Sequence, residues 1–124
     1  MTYAPALFVY VKIPIVAALV DQVRQRADKI DQILRETGIG SVIGWGDSLG
    51  DKQPNGSRVV AFHRIDIEVN DLPAARLALQ AALPLLDVSR GAEIHYTIEG
   101  KALMDVYSIS GWLVEQPLPA PLGR

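Results

Sequence analysis

The sequence contains no cysteine, which excludes disulfide cross-links, thiolate nucleophiles and cysteine-based zinc or iron–sulfur sites. Histidine is scarce. His63 and His95 are the only two, no HxH, HxxxH or HExxH spacing joins them, and a metal centre would have to rely on carboxylates. No metal and no cofactor is expected. An excess of one charge is missing as well. Twelve basic and fourteen acidic side chains leave a formal net charge of -2, too balanced to supply the attraction on which nucleic-acid binding depends. Long hydrophobic runs are also absent. The most apolar stretch, Ala6 to Val20, is interrupted by Lys12 and Pro14, is shorter than a membrane crossing requires, and follows no basic segment. These absences point to a cytoplasmic chain with neither a nucleic acid nor a membrane as partner.

What is present is the composition of a packed globule: 124 residues, 49% hydrophobic and 21% charged, enough to bury one core without staples. One domain over residues 1–112 is expected. It is followed by a tail over 113–124, in which Pro117, Pro119 and Pro121 cannot donate to a sheet ladder.

Leu7, Val9, Val11 and Ile13 alternate with Phe8, Tyr10 and Lys12, the period of a first strand with one aliphatic face. A helix from about Ile15 to Glu36 follows, its apolar stripe running through Ala27, Ile30 and Leu34, with Gly38 placed to cap its end in the left-handed conformation. Ser41 to Leu49 reads as a glycine-weakened strand leading through a turn at residues 50–57 into the strongest strand signal, Arg58 to Asn70. Asp71 suits the N-cap of a second helix that Pro84 bends or ends. A fourth strand spans Glu93 to Glu99, and Glu99 and Gly100 can turn the chain into a fifth from about Leu103 to Ser108.

Strand, helix, strand repeated twice is the split β-α-β order. The predicted fold is therefore α+β: a ferredoxin-like βαββαβ sandwich, an antiparallel sheet with two helices on one face, and an extra C-terminal strand as an option. If both helices cover the aliphatic side, the other side is left open. On it fall Phe8, Tyr10 and Lys12 from the first strand, Phe62, Arg64, Asp66 and Glu68 from the third, and an exposed His95 from the fourth, with Trp45 as a neighbour from the second. Such an aromatic and charged face calls for a covering partner, and a second copy of the chain is the first candidate.

Chemistry is harder to read. His63 sits on the aliphatic phase and reads as a core histidine. His95 with Asp66 or Glu68 from another strand could form a carboxylate–histidine pair. Gly38, Gly40, Gly44, Gly46 and Gly50 lie after a helix rather than before one, the reverse of a phosphate-cradling loop. Ser48, Ser57 and Ser110 lack the Gly-x-Ser-x-Gly elbow of a hydrolase. No catalytic signature emerges.

The run from Gly38 to Asp47 (GIGSVIGWGD), followed by Ile65-Asp66-Ile67-Glu68 and by Leu83-Pro84, resembles a pattern in small uncharacterised bacterial proteins with a ferredoxin-like fold, some of which look like immunity proteins of toxin systems. The resemblance implies a protein-binding module without assigned site residues. Two functions stay open. One is an immunity or regulatory module that docks a protein partner on the open face and on the hairpin over residues 46–56. The other is a small-molecule binding or enzymatic domain with a pocket at a dimer interface, lined by Tyr10, Trp45, Phe62, Arg64 and His95.

Overall fold

A computed structural model describes residues 7–14, 23–52, 54, 58–86 and 91–117. The expected helical start over 15–22, most of the turn around 53–57 and the last residues, 118–124, lie outside the described residues.

The described elements are β1 (Leu7–Pro14), α1 (Val23–Glu36), β2 (Gly40–Lys52), β3 (Arg58–Val69), α2 (Leu72–Ala82), a short 3-10 turn (Leu83–Leu86), β4 (Glu93–Ile98), β5 (Lys101–Ser108) and β6 (Gly111–Pro117). All six strands form one antiparallel sheet in the order β2-β3-β1-β4-β5-β6. The class is α+β, but the expected ferredoxin-like βαββαβ sandwich is overturned. Two hairpins carry the sheet beyond β4, and the segment expected to begin a loose tail at residue 113 is instead paired in β6 as far as Pro117. Pro117, the first of the three prolines, is itself in register with Leu103.

Local signals place the element ends. Gly38 has φ of 72°, and the N–H groups of Gly38 and Ile39 donate to the carbonyls of Arg35 and Leu34, closing α1 as a left-handed cap does. The Asp71 carboxylate accepts from Ala74 N–H at 3.0 Å, satisfying a donor that α2 itself cannot. Pro84 lies in the 3-10 turn that ends that helix.

Alternation then segregates the sheet. Val9, Val11, Ile13, Ile65, Ile67, Val69 and Ile94 are buried beneath Ala27, Ile30 and Leu34 of α1 and Ala75 and Leu79 of α2. Each fully buried aliphatic side chain contributes about 1.5–3 kcal/mol of transfer free energy. His63, facing the same side between Ile13 and Asp47 in register, is also buried.

One polar cluster interrupts this core. Asp105 of β5 is fully buried and accepts five hydrogen bonds: from Arg76 Nε and Nη2 at 2.9 Å each, Gln80 Nε2 at 2.9 Å, Tyr96 Oη at 2.7 Å and Glu115 N–H at 2.9 Å. Burial opposes its charge, yet these donors outweigh burial and hold the carboxyl below the ordinary carboxylate range. Arg76 also lies over the Tyr96 ring at 4.2 Å. The cluster ties α2 to β4, β5 and β6 at once. Trp112 of β6 adds a hydrogen bond from Nε1 to the Gln80 carbonyl at 2.9 Å, and this is why the sheet continues to a sixth strand.

Candidate functional site

The face opposite the helices carries the aromatic and charged residues. Register sets their rows. Tyr10 stands between Asp66 of β3 and His95 of β4, Lys12 between Arg64 and Glu93, and Phe8 beside Glu68. At the centre, the Tyr10 ring is covered from both flanking strands: the His95 imidazole stacks at 4.4 Å with planes 11° apart, and the Arg64 guanidinium lies 3.9 Å from the ring centroid. One row along, Lys12 sits over Phe62 at 4.1 Å.

His95 corrects two expectations. It is not exposed but 5% accessible, because Tyr10 lies flat against it. Its carboxylate is neither Asp66 nor Glu68 but Glu93, two residues back on the same strand and therefore on the same face, at 2.7 Å from Nε2. The His95 hydrogen bond holds the Glu93 carboxyl below its ordinary range, against partial burial and with help from the Lys12 charge. An ionised Glu93 requires Nε2 to carry the proton of this bond, which leaves Nδ1 as the second ring nitrogen to be satisfied. That Nδ1 is buried and has no hydrogen-bond partner among the described residues. Such an atom costs stability and marks a place where a hydrogen-bond partner is wanted.

Beside this stack the face opens into a cavity of about 430 Å³, lined among others by Phe8, Tyr10, Ile43, Arg64, Asp66, His95, Thr97 and Ala102. Of the residues singled out from the sequence, Phe8, Tyr10, Arg64, Asp66 and His95 meet here. Lys12 and Phe62 line a smaller recess with Glu93. Glu68 shares the face but does not line the cavity.

Trp45 is on the opposite side. A bulge between Val42 and Gly44 inserts Ile43, which shifts the phase of β2 by one residue, so that Trp45 pairs with Ile65 instead of Arg64. It borders a recess against Ala27, Asp28 and Asp31 of α1. The Val42 N–H donates to Asp31 at 2.9 Å. That bond lowers the Asp31 pKa.

Two residues central to the structure were not singled out from the sequence. Glu93 was signalled only by sharing the phase of His95, and Asp105 only by being the one charge in the apolar run Leu103 to Tyr107.

Among the described residues no three His, Asp or Glu side chains converge as a metal site requires. No described helix is long and apolar enough to cross a membrane. Compared with protein-family models, with curated proteins and with solved structures, the chain matches none.

Proposed function

We propose that the chain is a ligand-binding domain that takes a small planar molecule with polar substituents into the open-face cavity. The observation that carries this is the cavity itself. Its size falls within the range of small-molecule sites, about 300–1,000 Å³, and its lining combines apolar walls (Phe8, Ile43, Ala102) and a rigid stacked aromatic with a few polar groups, namely Arg64, Asp66, Thr97 and His95, the last held from behind by Glu93. Arg64 and Asp66 are joined at 2.8 Å, so together they offer a donor and an acceptor without a net charge. A neutral or zwitterionic ligand suits them better than a multiply charged one.

A blocking substitution tests this. Thr97 is exposed on β4 and lines the cavity, and Thr97→Trp would fill it while leaving the helix-side core untouched. Ligands found by a metabolite thermal-shift screen of the full chain should lose their effect in Thr97→Trp. Ligands that stabilise both proteins equally would place binding elsewhere.

A second reading, docking of a protein partner, is favoured by Phe8 and Ile43, which stand 61% and 56% exposed at the cavity rim. It predicts that Phe8→Ser abolishes capture of that partner while ligand stabilisation survives.

A further inference from the structure

We infer that the open face is the contact surface of a homodimer, two copies packed face to face about a two-fold axis that lies in the contact plane and crosses the strands at Tyr10. Charge placement carries this. Along β1 and β3 the charge is polar end to end: Glu68 stands beside Phe8 at one end, Lys12 and Arg64 stand side by side at the other with Glu93 of β4 next to Lys12, and Tyr10 and Asp66 form the row between them, where each Asp66 faces its copy already paired with its own Arg64. Rotation about an axis along that middle row lays each strand over its own copy running the opposite way. Glu68 then meets the partner copy's Arg64, and Phe8 meets its Lys12, which gives a salt bridge and a cation–π contact, each formed twice. An axis parallel to the strands would instead set acidic end on acidic end and basic end on basic end.

The rest of the face suits the same packing. Beyond His95 it continues through Ala102, Met104 and Val106, which pair with Thr97, His95 and Glu93, and reaches Leu113, 46% exposed and opposite Val106. An apolar flank beside a charge-matched one resembles the mixture that stable interfaces bury. Sheets pack about 10 Å apart, and the side chains of Arg64, Lys12 and Glu68 are long enough to meet across that gap. The dimer rests on the same cavity as the proposed function only in that each copy would roof the other's cavity. Association and ligand binding are read by separate experiments.

The test is sedimentation velocity on the full chain, from low to high micromolar protein. Wild type should sediment as a dimer. Lys12→Glu with Arg64→Glu makes both ends acidic, Asp66→Lys with Glu68→Lys makes both ends basic, and each double variant alone should be a monomer. Mixed in equal amounts, they should recover a dimer containing one of each. A wild type that stays monomeric throughout, double variants that dimerise as wild type does, or a mixture that stays monomeric would overturn the proposal. A second measurement needs no charge reversal. Since the chain has no cysteine and sheets about 10 Å apart are too far for a direct disulfide, Glu68→Cys and Arg64→Cys proteins mixed with a short bismaleimide should form a crosslinked pair far faster than either protein alone. Equal rates for the mixture and for each protein by itself would contradict the orientation.

Discussion

The imidazole of His95 lies parallel to the phenol ring of Tyr10, centroids 4.4 Å apart, and this contact decides what the open face can do. It takes His95 out of water, leaves Glu93 as the partner of Nε2, and gives the cavity a stiff wall instead of two mobile side chains. Arg64 on Tyr10 extends the stack over three strands. Tyr10→Leu should therefore lower stability by about 0.5–1.5 kcal/mol beyond the area lost, measured by urea unfolding, and should leave His95 accessible to diethyl pyrocarbonate. Unchanged protection of His95 would show that something other than the stack shields it.

The Asp105 cluster makes the sharpest stability prediction. Removing the carboxylate strands Arg76 in a site where it is 14% exposed. Asp105→Ala should cost about 3–5 kcal/mol, seen as a drop in the urea midpoint. A loss below about 1 kcal/mol would mean that the carboxylate is not the tie between α2 and the last three strands.

Tyr96 gives a test at alkaline pH. Burial, followed by its hydrogen bond to the Asp105 carboxylate, pushes its phenol pKa above the ordinary value. A group whose folded pKa is raised contributes stability fully below its unfolded pKa, about 10, and loses it as pH rises beyond that. Of the four tyrosines, Tyr96 should ionise only as the chain unfolds, giving a late step in ultraviolet titration that Tyr96→Phe removes. A titration identical in wild type and variant would contradict this.

At acid pH the sign reverses. The pKa values of Asp31, Glu93 and Asp105 are all lowered in the fold, so their contribution is complete above their unfolded values, about 4, and disappears as pH falls through the lower folded ones. Glu93→Gln should therefore flatten the acid limb of the stability curve relative to wild type, in denaturation series at stepped pH. An unaltered slope would mean that the Glu93–His95 bond does not persist in solution.

Glu99 sits at φ of 51° beside Gly100 at 80°, the conformation of a two-residue hairpin turn in which asparagine is preferred first. Glu99→Asn should raise stability by up to about 1 kcal/mol. A melting temperature that falls would contradict the turn.

These residues also show why part of the structure was legible in the sequence and part was not. The β1 alternation, the Gly38 cap, the Asp71 cap and the Glu99-Gly100 turn are all set by neighbours within a few positions, and each is where the pattern puts it. What failed depends on distant partners or on one inserted residue. Asp105 is explained by Arg76, 29 residues away in sequence. The side of the sheet taken by Trp45 was reversed by Ile43 in a bulge next to Val42, whose N–H donates to Asp31 of another element. The burial of His95 was invisible because it comes from a ring on a strand more than eighty residues earlier, and β6 was hidden because Pro117 and the two prolines after it read as a tail. Hence the open face was foreseen as a surface, while the cavity in it and the Glu93–His95 pair were not.

The most direct test of that cavity as a binding site is aromatic ¹H–¹³C NMR of the full chain titrated with small planar molecules bearing hydrogen-bond donors. Binding there should move the Tyr10 and His95 ring resonances together, with Phe8 following and Trp45 still. Ligands that shift Trp45 or Trp112 while Tyr10 and His95 stay in place would contradict the assignment of the site.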